Sequence, residues 1–443
     1  MASEVNSFVS RKKLDILATA VRDLMPYVRA SEQKYDQASI KGKKFGAKVS
    51  EYLTDAGTVS DGIIANPDAI HEREVTAFVQ NKNSAVETTF WENFNNIENK
   101  ERNIIKKRAE KLAREIEADV IRHNALRGMQ AVAVAKVGGV AAPSFEMLSD
   151  AATKLAELST VGDLVDFQAP TIYGKIANSG LAKFLPEDIQ RDLYREKYLG
   201  QYAGAACVEQ ALMPKITLSS NAADAPTLTF TPVKDDSNNI IGYTVGALTA
   251  NSTKALEEGA AYKVPGVYLL DESGMETNQE LVVIVHKKIT GLVTSTVNGE
   301  TVITKANQGK LAESLGIEDL FVTAKGYSFG TPNVWVDPAT FDSGSSDTTV
   351  TCAFIDGMSA PASGTKTYLV GQVRTEDALV FDSYTFDDLP GSRRENVGND
   401  GPVVLKAMSY GDGLNGVELT RIDSPFIATI FEPRRCVPTF VEV

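Results

Sequence analysis

Three histidines, His71, His123 and His286, are the only imidazoles in this 443-residue chain, and no two stand in an HxxxH or HExxH arrangement. Metal-dependent hydrolysis needs two such ligands on one helical face. This spacing instead assigns them ordinary surface or half-buried roles, because a reacting site requires convergent partners. The cysteines, Cys207, Cys352 and Cys436, lie far apart with no CxxC pair, a pattern of free thiols in a reducing compartment. Cys352 alternates with Val350 and Phe354, which puts it on the apolar face of a strand. GDGLNG (411–416) lacks the GK[ST] of a phosphate loop and lies between strand-like runs, so it reads as a turn. DDSNN (235–239) has the side chains of a calcium loop without its glycine and distal glutamate, and also reads as a hairpin turn. The carboxylates of EIEAD (115–119) fall on a strongly charged helix and are expected to be solvated or paired at the surface. Phe90, Trp91 and Phe94 read as core packing. There is no GxSxG, Walker or dinucleotide motif, and the expectation is no catalytic residue, no metal, no cofactor and no enzymatic activity.

The elements that would carry these residues are legible in the periodicity. Ser10 can cap a helix with Leu14, Leu17, Val21 and Leu24 on one face, which Pro26 must end or kink. Residues 40–90 alternate strand-like runs with Gly and Asn-Pro turns and suggest a long hairpin, through basic KGKKFGAK and acidic TDAGTVSDG. Its lysines Lys41, Lys43, Lys44 and Lys48 are either a solvated loop or an intersubunit contact. From Ile97 to Arg127, Ile105, Ala109, Leu112, Ile116 and Val120 recur every three or four residues among charged positions. That predicts a helix about 45 Å long with one narrow buried face, its packing carried by Ile105, Leu112, Ile116 and Val120. Gly128 supplies its C-terminal stop. Further helices are expected from Ser144, with Phe145, Leu148, Ala152, Leu155 and Leu158 on one face, and from Pro186 to Gly200.

No arginine occurs between Arg195 and Arg374. Residues 221–365 hold eight Lys against seventeen Asp/Glu, whereas residues 1–60 hold ten Lys/Arg against seven Asp/Glu. Within 221–365, TLTFTPV, IIGYTVGALT, GVYLL, ELVVIVHKK, LFVTAK, NVWV and TTVTCAFI are short turn-bounded strands. GLVTSTVNGETVITKA adds a hairpin on Asn298-Gly299, the dipeptide suited to a type I′ turn. Helices before this segment and the runs TYLVGQV, ALVFDSYTF, PVVLKAM, GVELTRI and FIATIFEP after it predict an α+β body interrupted by an all-β insertion. The net charge of −13 disfavours a surface that coats nucleic acid. Hydrophobic residues at 43% and charged residues at 23% fit a globular chain of two or three folding units. The N-terminus lacks an apolar run, and the most apolar stretch, from Gly128 to Pro143, is broken by Gln130 and Lys136, so neither export nor a membrane span is expected.

This order of elements resembles the major capsid proteins of tailed bacteriophages with the Hong Kong 97 fold, especially the short-tailed phage coats that carry an inserted β domain. The strings that carry the likeness are ENKERNIIKKRAEKLAREIEADVIRHN, LSTVGDLVDFQAPTIYGKIA, YAGAACVEQALMPKIT and PVVLKAMSYGDGLNGVELTRIDSPFIATIFEPRRCVP. The resemblance implies an N-terminal arm at 1–39, an extended loop at 40–90, and a spine helix, peripheral domain and first part of an axial domain at 91–220. It further implies the inserted all-β domain at 221–365 and the remaining axial and peripheral strands at 366–443. Such a subunit would assemble with itself into hexamers and pentamers on a scaffolding protein. The icosahedral procapsid so formed, with a portal and in some such capsids a decoration protein, would enclose double-stranded DNA without sequence-specific binding. The implied location is the virion capsid, assembled in the host cytoplasm without a membrane. Two other readings are kept: a nanocompartment shell protein of the encapsulin type, and a modular surface-binding protein acting through its β domain.

Overall fold

The computed structural model describes residues 11–32, 44–50, 72–78, 80–89, 98–160, 162–177, 201–234, 240–249, 254, 256–272, 276–286, 294–297, 300–303, 321–322, 334–336, 347–384, 394–400, 403–412 and 417–443. These form an α+β chain that divides into two compact units. Unit 1 gathers 1–47, 75–123 and 379–431, and unit 2 gathers 48–74, 124–378 and 432–443. Each unit is thus assembled from pieces remote in sequence.

Unit 1 is built on a five-stranded antiparallel sheet. Leu379–Ser383, Val417–Ile430, Val403–Asp412 and Arg394–Asp400 lie in that order, and Gln80–Thr89 pairs with the 417–426 stretch of the long strand. GVELTRI and FIATIFEP, two runs in the sequence, are one continuous strand. Helix α1, Arg11–Asp23, buries Leu14, Leu17, Ala18 and Val21. It lies so close to the sheet that a Cβ on Gly398 would overlap Leu14 Cβ and the backbone of Leu14 and Asp15. Arg22 closes the end of this contact with a 3.0 Å ion pair to Asp400. The helix ends at Asp23, leaving Leu24 exposed beyond it, and a short helix α2, Pro26–Arg29, begins on the proline.

The long helix α3, Glu98–Asn124, runs 27 residues, about 40 Å. Ala109, Leu112, Ala113, Ile116, Val120 and Ile121 form its buried stripe. One carboxylate interrupts that stripe: Glu117 is buried and accepts a 2.8 Å hydrogen bond from the backbone N–H of Tyr27 in α2. Asp119 is paired with Lys82 of the Gln80–Thr89 strand, which fixes the helix against the sheet.

Unit 2 contains a mixed seven-stranded sheet in the order Val132–Val134, Cys436–Glu442, Thr365–Thr375, Leu164–Gln168, Ala205–Glu209 and Gln201–Tyr202, with Lys215–Ser219 also paired to Thr365–Thr375. Two neighbours are parallel, 132–134 with 439–441 and 164–168 with 205–209. Helix α4, Phe145–Glu157, buries Phe145, Met147, Leu148, Ala151, Ala152 and Leu155, and its Ala151 and Leu155 join Ala205, Val373 and Val437 of the sheet in one apolar cluster. Helix α5, Pro170–Ala177, follows directly on the 164–168 strand.

The described strands of 221–365 form two further four-stranded arrangements. One orders 321–322, 240–249, 227–234 and 348–351; the other places 276–284 and 334–336 beside 261–270, which also pairs with 353–354. Thr294–Val297 and Glu300–Ile303 pair antiparallel with Val297 opposite Glu300, while Asn298-Gly299 lies outside the described residues. This segment is tied to the rest of unit 2 by backbone bonds from Val282 to Met129 (2.9 Å) and from Glu272 to Leu158 (3.1 Å). The helix expected from Pro186 to Gly200, the DDSNN turn, and Phe90, Trp91 and Phe94 fall outside the described residues.

Gly128 has a different duty from the helix stop assigned to it. Its φ is not in the left-handed region, and a Cβ there would run into the Pro438 ring and lie 2.7 Å from the Cys436 carbonyl oxygen. Close backbone approach is what requires glycine. Gly128→Ala should therefore lower the melting temperature, at a cost of about 1–3 kcal/mol for forcing atoms into a packed contact. Gly174→Ala in α5, where a Cβ meets nothing within 4 Å, should instead stabilise by up to about 1 kcal/mol through helix propensity. Parallel thermal melts of the two variants and the parent would check both signs.

Candidate functional site

The chemically capable residues do not converge. His123 is an exposed residue near the C-terminal end of α3, His286 sits 3.2 Å from the Leu126 carbonyl oxygen, and His71 lies outside the described residues. Among the described residues no group of three or more His, Cys, Asp or Glu side chains could hold a metal ion. All three cysteines are buried free thiols, and burial pushes the Cys352 and Cys436 thiols up to about 12. At neutral pH these sulfurs are protonated and poor nucleophiles. The Val403–Asp412 and Val417–Ile430 strands pair as far as Asp412 opposite Val417, so GDGLNG spans their connection, whose residues 413–416 lie outside the description.

The expectation for EIEAD is corrected in part. Glu115 does pair at the surface, with Lys111 at 3.8 Å, and Asp119 pairs with Lys82. Glu117, however, faces inward with the apolar stripe, because the short α2 backbone presents an N–H that needs an acceptor there. The stripe residues Leu112, Ile116 and Val120 are buried, while the side chain of Ile105 lies outside the description. Lys41 and Lys43 also lie outside it. Lys44 and Lys48 belong to the Lys44–Ser50 strand, which pairs with Glu72–Phe78, and nothing is described of their side chains.

The densest polar arrangement lies inside the unit 2 sheet, where sequence reading marked nothing. Asp166 and Gln168 alternate on one strand, so both project to the face that carries Cys207, Val373 and Thr439. Gln168 Nε2 donates to Asp166 Oδ1 at 2.7 Å and to Thr439 Oγ1 at 3.1 Å. Gly371 makes room for this amide, since a Cβ there would collide with the Gln168 side chain and with Thr439 Oγ1. On the opposite face Gln372 Nε2 donates to the carbonyls of Asn124 (3.0 Å), which also accepts from the Arg127 N–H (3.0 Å), and of Arg127 (3.3 Å), holding the turn that follows α3. Arg374, fully buried, donates to the Thr375 and Glu376 carbonyls and stacks 5.2 Å from the Phe167 ring centre. These groups hold strands together and are shut off from solvent. Period-2 alternation in LVDFQ was the one signal available, since it sets Asp166 and Gln168 on the same face.

Asp166 is fully buried, and one of its oxygens has no hydrogen-bond partner. Burial pushes its carboxyl up to about 7, against hydrogen bonds from Gln168 and Cys207 that act to lower it. The folded chain then holds this proton across the interval from about 4 to about 7 while the unfolded chain releases it, so stability from this group is complete below pH 4 and falls as pH rises through 7. Asp166→Asn, which keeps the acceptor for Gln168, should flatten that decline and leave the variant more stable than the parent at pH 8 by a few kcal/mol, as thermal melts across pH 4 to 8 would show.

No family model matches the chain, and no curated protein does. Solved structures similar to it include the capsid of the cyanophage P-SCSP1u, 11% identical, with 93% of this chain and 85% of that chain covered at a TM-score of 0.43. The acidic stable capsid of the Helicobacter pylori bacteriophage KHP30 is 8% identical over 94% of this chain and 89% of that chain, with a TM-score of 0.42. A virus-like particle from Pyrococcus furiosus is 9% identical over 96% and 98% of the two chains, with a TM-score of 0.36.

Proposed function

We propose that the chain is the major capsid protein of a tailed bacteriophage, a structural subunit that self-assembles into an icosahedral shell around double-stranded DNA. The observation that carries this reading is the long α3 helix: about 40 Å of charged helix with one buried stripe, joined to an N-terminal helix on an open five-stranded sheet. Such a subunit has extended elements and exposed faces to bury against copies of itself, and its polar interior serves packing. Hexamers and pentamers, a scaffolding protein, a portal and a decoration protein follow from the same reading, as does assembly in the host cytoplasm and a virion location. Residues 221–365 are read as an inserted domain, because their described strands pair chiefly with one another. That insertion favours the capsid over a nanocompartment shell of related architecture.

Negative-stain microscopy of the expressed chain, alone and with a co-expressed scaffold, tests the proposal. Closed shells are expected, and monomers under every condition would refute it. The basic loop gives a finer test. With Lys43→Glu and Lys44→Glu together, the subunit's melting temperature should stay within a degree or two of the parent while shell yield at low ionic strength drops, because a net charge of −13 makes lysine-to-acid contacts between copies attractive. Unchanged shell yield and heat resistance would remove these lysines, with Lys41 and Lys48, from the interface.

A further inference from the structure

We infer that the hairpin tip at residues 135–140 of unit 2 is a contact surface for a second copy of this chain, an inference that rests on the shell-forming reading and adds a place to it. The tip is a tight, fully bonded turn. Val137 N–H donates to Val140 O at 3.0 Å and Val140 N–H donates back to Val137 O at 3.1 Å. Between them Gly138 and Gly139 take φ of +60° and +79°, the left-handed pair of a type I′ turn. A Cβ on either glycine would meet nothing within 4 Å, so the turn projects clear of its own subunit.

Its base is fixed. The preceding strand, Val132–Val134, is paired with the C-terminal strand, and the Lys136 N–H donates to Glu442 Oε2 at 3.4 Å. All six tip residues are exposed, and Val137 and Val140 stand 71% and 61% open to water. Gly-Gly is an ordinary filling for a type I′ turn, so what sets this tip apart is that both flanking residues are apolar and exposed. Here a rigid turn holds two valines side by side in water, which favours burial by a partner.

Charge and size say which partner. From Val120 to Phe145 there is no Asp or Glu, while Arg122, Arg127 and Lys136 are present, on a chain whose net charge is −13. Copies of so acidic a chain repel one another over most of their surface. The exposed tip itself, 135–140, carries no carboxylate and one cation, Lys136, so an acidic neighbour is met there without repulsion. Six small residues cover far less than the roughly 800 Å² per partner of a stable two-body complex. One such contact is weak, and it becomes effective when symmetry repeats it through an assembly of identical chains. A dedicated single partner would need a larger surface.

The test uses the full chain carrying Val137→Asp and Val140→Asp, with Val137→Thr and Val140→Thr as a near-isosteric second variant. Because both side chains face water, circular dichroism and melting temperature should match the parent. Sedimentation velocity should show the parent in fast assemblies and the Asp variant at least tenfold depleted in them, with the Thr variant depleted to a lesser degree. If the parent forms shells and both variants form them equally well, the tip contact is refuted while the shell reading stands. If the parent forms only small oligomers and the Asp variant loses them, the contact stands and the shell reading falls. A parent monomeric at every concentration, both alone and with a co-expressed scaffold, overturns both. A defect seen only when a scaffolding protein is co-expressed would reassign the tip to that partner and overturn the inference.

Discussion

The chain's last strand closes the unit 2 sheet, and much of that unit is arranged to receive it. Every residue of Cys436–Glu442 is buried, between a parallel partner at 132–134 and an antiparallel one at 368–374. A strand inserted between two others must satisfy its backbone on both edges and its side chains on both faces. The surrounding sequence meets these demands one by one. Gly128 gives up a side chain so that Pro438 and the Cys436 carbonyl can approach, Gly371 leaves space for the amide that reaches Thr439, and Arg435 forms ion pairs with Asp377 and, at 2.7 Å, with Glu272. Packing this close leaves no room for an added atom, which makes the sheet sensitive to single-atom changes along the seam.

Several buried polar side chains in the two units share one pattern, in which each meets backbone groups at a chain turn or helix end. Gln372 caps carbonyls at the end of α3, Arg374 serves the turn at 375–376, and Glu117 takes the N–H of Tyr27. Asp166 departs from it, with one oxygen unpartnered and its proton retained to near neutrality by burial. Its presence couples the stability of the central sheet to pH over the range a cell experiences.

On the proposed reading, the subunit relies on weak, repeated contacts where a catalyst would have a cleft. On that reading, the strongly acidic net charge restrains association to sites that are neutral or basic. Both the hairpin tip and the basic segment at 41–48 have that character in the sequence.

Local physics alone determined the long helix, whose three-and-four spacing from Ala109 to Val120 admits no other regular structure, and the arm helix through Leu14, Leu17 and Val21. It also determined the pairing of 294–297 with 300–303, the free thiols and most strands of 221–365, because propensity and periodicity act over a few residues. Tertiary structure decided the rest. That Glu117 turns inward depended on where α2 came to lie, that Gly128 serves packing depended on Pro438, and that 80–89 joins a sheet with 417–426 depended on chain ends meeting across more than 300 residues. A helix period or a turn dipeptide fixes the conformation of its own segment. Which remote segment lies beside it is set by the burial of both together, and no local pattern encodes that.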